Sequence, residues 1–576
     1  MSERFYESGR SPDRPSAKWS MLRGPAIIAG LVAIAVITGF LVLAATAPIS
    51  TGDKRSPDRS AGPSVTTMPF PASSTIPPNS VPQRGGALIY ALPSPGYRLD
   101  LDLYGRRLTP ADLIEGHAMF DPLFAFDVNG RAVPYLAEQA SGAADHRTWT
   151  IKLRPGVRFH DDTPADAEAL ARHLEAARQS VVLAPLLRPI SDVSVLDAES
   201  VKIGLAEPWA TFPVALTGQA GLLSGRVGPD GVPVGTGPFV TDKFESSDVR
   251  RLTAAPRYWR PGLPLIDTLA FRYVPDGQER ERLLKSGEID AMRLDGTERG
   301  TSVELISAVD PGRFQFITDT IAPAAYLVTL DTSRPPFDDA ATRQRLTDAT
   351  NRDDLIASLF SGASTPIADL PVPTAPGLAF SPSTTALGEA GPLPNELRTS
   401  PTVAFSLLID TRLESTAISD GLRQQWLRFG FDVAVTAVED VQDYLSKPHA
   451  HNAVLMVGAG GSDPALDAPL WDPGARIDGS PPFPTALGVG DQVLREAAHT
   501  GRASPDPSTR LAAYQHASNR LAELQPIIWL ASNRPSVVAS PRVRAFVNST
   551  LPDGSPAATF DGSGVHRLTE AWLSRS

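Results

Sequence analysis

Cysteine is absent from all 576 residues. That absence excludes disulfides, thiolate metal sites, a cysteine nucleophile and a lipid-modified cysteine. Lysine is scarce as well, 7 of 53 cationic side chains, an arginine bias that fits a GC-rich bacterial genome of the actinobacterial kind. No HExxH, GxSxG or Walker loop occurs, so the usual cues for a metalloprotease, a serine hydrolase or a nucleotidase are missing. His449 and His451 form an H-x-H pair, but no third ligand stands nearby at metal spacing. No enzyme, metal site or cofactor is expected.

What is present in excess is proline: 55 residues, about twice the usual ~5% share. Hydrophobic and charged fractions, 42% and 20%, are those of a globular protein. The length exceeds what one core of ~100–200 residues serves, so two or more lobes are expected. Residues 1–84 hold nine Lys and Arg against five Asp and Glu, net +4, which leaves 44 against 59, net −15, for residues 85–576. An acidic body of that sign is repelled by phosphate, and no nucleic-acid partner is expected.

From Gly24 to Thr51 the chain is uncharged, and "AIIAGLVAIAVITGFLVLAA" (26–45) has the ~20 apolar residues that cross a bilayer. Arg4, Arg10, Arg14, Lys18 and Arg23 precede it. The positive-inside rule then places residues 1–23 in the cytoplasm, an anchor at 24–50 and the body outside, single-pass. The competing reading is a signal peptide cleaved after Ala44, which would make the body secreted. Residues 51–84 are rich in Pro, Ser and Thr and read as an extended linker.

The body alternates strands and helices. Trp149, Ile151 and Leu153 alternate with Thr148, Thr150 and Lys152, the period of a half-buried strand. Pro155 and Gly156 make a turn. Thr163 is read as the N-cap of a helix carrying Leu170, Leu174 and Ala177. The polar triplet His160, Asp161, Asp162 lies in that connection. Further on, "TVAFSLLI" (402–409), the stripe Ile418, Leu422, Trp426 ending at Gly430, "FDVAVTAV" (431–438), a short helix over 439–447 and "NAVLMVG" (452–458) alternate as strand, helix, strand, helix, strand. This predicts βαβ units with a parallel sheet. Ligands of such sheets sit beyond the carboxyl ends of the strands, here at "GAGGSDP" (458–464).

A series of blocks resembles one family. They are "GGALIYAL" (85–92), "MFDPLFAFDVNGRAVPYLAEQ" (119–139), "TWTIKLRPGVRFHDDTPADAEAL" (148–170), "GTGPFV" (235–240), "RYWRPGLPLIDTLAFRYVPD" (257–276), "LLKSGEIDAM" (283–292), "RPPFDDAATRQRLTDATNRDDL" (334–355) and "LQPIIWL" (524–530). In order and content they resemble the extracytoplasmic solute-binding proteins of ABC importers, oligopeptide and dipeptide type, family 5. The resemblance implies an α/β fold, the large two-lobed periplasmic-binding-protein class with an extra subdomain, preceded here by one transmembrane helix. Carried onto this chain it puts the first lobe at 85–318 with a subdomain at about 121–234, the second at 319–524, and a return to the first at 525–576. It also makes the polar triplet part of the scaffold, with Asp162 where the family has glycine.

Peptide-binding members hold an extended ligand by backbone pairing. Many carry an aromatic residue and then an aspartate that pairs with the peptide amine in the loop matching "VGAGGSDP". Aligned on Pro464, the aromatic becomes Val457 and the aspartate becomes Gly460. Asp463 either takes over the amine or caps the turn before Pro464. The expected ligand-binding set is Val457, Gly458, Gly460 and Asp463, with Trp471 as a stacking surface unless it packs in its loop, and Leu108 and Pro110 of "RRLTP" (106–110) from the first lobe. The implied role is a monomeric membrane-tethered receptor that passes a peptide-like solute to ABC permease and ATPase subunits. The alternative is a cell-envelope assembly or sensing factor of the same fold.

Overall fold

The computed structural model describes residues 81–93, 103–180, 182–225, 234–241, 248–294, 314–318, 324–360, 367, 370, 402–411, 413, 415–439, 441, 451–458, 463–472, 491–533, 536–545, 549–560 and 564–574. All lie in the compact unit Pro69–Ser576. The expected tail at 1–23, the anchor at 24–50, most of the linker, Gly460 and most of the helix over 439–447 fall outside the described residues. Among the described residues no helix is long and apolar enough to cross a membrane.

Two main sheets carry the fold. The first has seven strands in the order Gln315–Thr318, Ser536–Ala539, Ala291–Leu294, Ala87–Leu92, Thr268–Tyr273, Val249–Ala254, Phe239–Val240. Its central strand reads ALIYAL and runs parallel to both neighbours, as a strand covered on both faces should. The second sheet has five strands in the order Phe431–Val438, Val403–Asp410, Ala453–Gly458, Ala324–Leu330, Ile527–Asn533. The strand Val403–Asp410 is parallel to the strands on either side, the arrangement predicted from the alternation. Ile418, Leu422 and Trp426 of helix Ser415–Leu427 are fully buried on one face of this sheet. Trp471, Leu494, Ala498 and Tyr514 fill the other face. Separate apolar cores under the two sheets make two lobes.

The chain passes between the sheets twice, between residues 318 and 324 and again between 533 and 536. The second passage corrects the expected return at 525. Strand Ile527–Asn533 pairs with Ala324–Leu330 and is an edge of the second sheet, so the return to the first lobe follows residue 533.

A third, four-stranded antiparallel sheet, order Ala137–Gly142, Thr148–Leu153, Ser200–Leu205, Ile190–Val195, forms the subdomain. Helix Ala167–Gln179 packs Leu170, Leu174 and Ala177 into its core. The helix is capped by Asp166, whose side chain accepts from the Ala169 amide, and this corrects the expected cap at Thr163. Asp161 holds Thr163 instead, accepting from its amide and hydroxyl at 3.0 and 2.6 Å, so the first turn cannot begin there.

The polar triplet serves this scaffold. Asp162 sits at φ 66 and pairs with Arg257 at the surface. The His160 ring lies 3.0 Å from the Gly237 carbonyl, and its amide donates to the Gly235 carbonyl. Gly235 and Gly237 must be glycine for a separate reason. A Cβ on either would fall 1.9 or 2.5 Å from the Met119 backbone, closer than any side chain tolerates. The motif "GTGPFV" thereby lets two segments of the first lobe touch.

Candidate functional site

The strand Ala453–Gly458 ends where a parallel sheet presents its carboxyl edge. Facing that end is the first-lobe segment Leu103–Thr109. Gln219 clamps it: its amide nitrogen donates to the carbonyls of Leu103 and Arg106 at 2.9 and 2.8 Å, and its oxygen accepts from the Leu108 amide at 3.0 Å. Thr109 and Asp112 then close a capping box that starts helix Pro110–Met119. A segment held at both ends this way keeps its side chains in fixed directions.

Three of those directions are decided by the sequence "RRLTP". Leu108 is 5% exposed and belongs to the first-lobe core. This places it behind the cleft wall, and its expected contact with ligand is withdrawn. Pro110 is half-buried at the first helical position, where a missing N–H is harmless. Arg106 turns inward to the buried Asp112, 3.4 Å away. Arg107 points the other way. Its terminal nitrogen lies 3.5 Å from where a Cβ on Gly458 would stand. The residue is exposed to solvent, yet the protein around its guanidinium lowers its pKa, an effect partly offset by the charge of Asp467. An exposed first-lobe side chain that reaches the end of a second-lobe strand lines the space between the lobes.

The second-lobe side of the site is Gly458, with Val457 half-buried beside it on the second-lobe core. Leu470 lies 3.9 Å from the same Cβ position of Gly458.

Of the two readings open for Asp463 and for Trp471, the structure favours the turn cap for the first and packing for the second. Asp463 is 4% exposed and both of its carboxylate oxygens are taken. One accepts from the Ala465 amide at 3.0 Å; the other accepts from the Thr211 hydroxyl at 2.8 Å and from the Arg510 guanidinium. Buried and held by these three partners, it caps its turn and ties the lobes, which leaves the amine-binding reading without support. Trp471 has no exposed surface and meets Tyr514 edge-on, ring centres 6.3 Å apart. It is a core residue and offers no stacking face to a ligand.

The segment Asp463–Asp472 joins the lobes. Ala465 sits in the subdomain core, whereas Ala468, Leu470 and Trp471 sit in the second-lobe core. Beside it the Ala210 amide donates to the Arg502 carbonyl at 2.7 Å, and the Arg502 guanidinium pairs with Asp472 at 2.7 Å. Sequence reasoning missed Arg107 and this junction. A signal for the first existed: of two adjacent arginines, only one has an acidic partner in its own capping box.

The fold defines the class, a two-lobed α/β binding protein. Solved structures with it include an ABC transporter-associated periplasmic binding protein, DppA, from Helicobacter pylori in complex with peptide STSA (TM-score 0.70, 19% identity, 86% of this chain and 99% of that one). They also include the oligopeptide-binding protein AppA from Bacillus subtilis with a nonapeptide (0.68, 15%, 86% and 100%). A third is AgaA from Agrobacterium tumefaciens R10 with agropinic acid (0.68, 20%, 85% and 99%). The ligands named for these neighbours differ in kind.

Residues 131–475, more than half of the chain, match the model of the bacterial extracellular solute-binding proteins, family 5. The protein belongs to that family. Among curated relatives, the glutathione-binding protein GsiB of Escherichia coli K12 is 27% identical over 285 residues, 46% of this chain and 52% of that protein. The chain thus spans about half the length of the first curated relatives it matches. GsiB of Pectobacterium atrosepticum is 26% identical over 473 residues, 76% and 87%.

Proposed function

We propose that the protein is a membrane-tethered receptor that captures a peptide or peptide-like solute between its lobes outside the cell and delivers it to an ABC permease. The observation that carries this reading is the approach of Arg107, from the first lobe, to Gly458 at the carboxyl end of a second-lobe strand. A solute held there touches both lobes at once. Its binding energy therefore favours the closed arrangement, and a permease that docks only closed receptors takes up only loaded ones. Gly458 has no side chain of its own to bar a ligand backbone from the strand end, the contact that lets such proteins read chain length in preference to side chains. The tether is the uncharged segment at 24–50.

The full chain, purified in detergent, is screened by thermal shift against short peptides, muropeptides and sugars. A solute present at 100 times its Kd adds about 2.7 kcal/mol to native stability and raises Tm. A stable fold that responds to none of the three classes refutes the reading and favours an envelope assembly role for the same fold.

A further inference from the structure

We propose that the segment Asp463–Leu466 is a clasp: a second-lobe peg seated in the subdomain, which parts when the lobes open and thereby sets how tightly any solute is held without touching it. The proposal rests on the receptor reading above and adds a device that this reading does not require.

The peg belongs to the second lobe. Asp463 caps its own turn through the Ala465 amide and pairs with Arg510 of helix Pro507–Leu524. Ala468, Leu470 and Trp471, just beyond, are rooted in the second-lobe core. Yet Ala465, 1% exposed, lies in the subdomain core, and Leu466 packs on Phe126, Val214 and Ala558. The Thr211 hydroxyl of the subdomain donates to Asp463 at 2.8 Å, and the Ala210 amide donates to the Arg502 carbonyl at 2.7 Å. Thr211 precedes the short helix Phe212–Leu216 but makes no side-chain cap bond to it. Among the described residues its hydroxyl bonds only across the junction.

What crosses the junction decides whether it can part. The strong ion pairs, Asp463 with Arg510 and Asp472 with Arg502, each lie inside the second lobe. Separation therefore strands no buried charge, which is the costly event at an interface. Among the described residues the ion pair that does cross here, Arg502 with Glu207, is 3.8 Å long, and the Glu207 side chain is 54% exposed, so water replaces it at little cost. One hydroxyl, one amide and its carbonyl are rehydrated as they part, and the apolar surface uncovered is that of one alanine and one leucine. Such a contact exists only in the closed arrangement, so it multiplies the affinity of every solute by one factor.

Thr211→Val removes the crossing hydroxyl and Thr211→Ser keeps it. Individual tripeptides that the full chain retains from a randomised library are measured on wild type and both variants by calorimetry and stopped flow. Thr211→Val should raise the Kd of each tripeptide by the same factor, at least about 10-fold, mostly through faster dissociation and with the order of preference unchanged. Thr211→Ser should stay near wild type. An unchanged Kd in Thr211→Val, or factors that differ from one tripeptide to the next, would overturn the proposal and leave solute capture standing. Hydrogen exchange without peptide supplies a second measurement. The Ala210 amide should exchange far faster than those of Ile151 and Leu407, inside the subdomain and second-lobe sheets, and peptide should slow it. An Ala210 amide as protected as those two would mean that the junction opens only on unfolding, and the clasp would fall. Were no tripeptide retained, peptide capture itself would fall, while exchange at Ala210 would still decide whether the clasp parts.

Discussion

Replacing Asp463 by alanine tests whether the lobe junction is built as described. Three groups lose their acceptor: the Ala465 amide, the Thr211 hydroxyl and the Arg510 guanidinium. Orphaning one partner of a buried pair costs roughly 3–5 kcal/mol. Arg510 remains 18% exposed and keeps its 3.0 Å bond to the Gly501 carbonyl, so water reaches part of the released charge and the expected loss falls to about 2–4 kcal/mol. Asp463→Asn keeps one acceptor and should lose about half as much. The double variant Asp463→Ala, Arg510→Leu should lose less than the sum of the single variants, because most of the cost of the first is the stranded cation of the second. Equilibrium urea unfolding of the full chain, followed by tryptophan fluorescence, compares wild type with Asp463→Ala, Asp463→Asn, Arg510→Leu and the double variant. A loss below about 0.5 kcal/mol for Asp463→Ala, or strict additivity in the double variant, would refute the reasoning.

Other outcomes follow from the same structure. Trp471→Ala should cost about 3–5 kcal/mol of native stability, since the ring is wholly buried against Tyr514; a neutral result would return it to the cleft surface. Gly458→Leu should abolish solute binding while leaving Tm within a few degrees, because the Cβ has ordinary room, 3.5 Å from Arg107, and the rest of the side chain fills the cleft; unchanged binding contradicts the site. Acid should unfold the protein through its buried histidines. Burial pushes His173 down to about 4 despite its bond to the Ala220 carbonyl, and His117 and His566 down to about 3, where nearby arginines add to the effect. These groups are lowered from the ordinary value of about 6.5. Their contribution is therefore complete above pH 6.5 and is lost as pH falls toward 4, at up to about 1.4 kcal/mol per pH unit for each histidine. Asp121, pushed up to about 6 by burial against the pull of its bonds to Trp259 and Tyr258, opposes them, since its contribution is present at low pH and lost as pH rises through 6. His173→Gln should flatten the acid limb, which pH-resolved urea titration would register.

Much of the architecture was legible because burial leaves a period in the chain. The stripe Ile418, Leu422, Trp426 and the run "FDVAVTAV" map onto helix Ser415–Leu427 and strand Phe431–Val438, and Gly430 takes the positive φ that ends the connection. Where alternatives stayed open or a reading failed, the deciding partner is distant in sequence. Trp471 is core only because Tyr514 comes back over it, and Asp463 is spent only because Arg510 and Thr211 reach it, 47 and 252 residues away. Strand Ile527–Asn533 was assigned to the wrong lobe for the same reason, since its pairing with Ala324–Leu330 leaves no mark in its own residues. Thr163 was the more local error: Thr163 and Asp166 both suit a cap, but the Thr163 hydroxyl donates to Asp161 while the Asp166 side chain accepts from the Ala169 amide.

The account stands on two lobes that close around a solute. Because the chain has no cysteine, Leu196→Cys and Leu427→Cys, 55% and 62% exposed on the subdomain and the second lobe, give a clean dye pair on the full-length protein. Single-molecule energy transfer with and without a mixture of short peptides should show the population moving from a broad distribution to one narrow distance as peptide binds. Calorimetric binding with no change in that distance would contradict capture between the lobes.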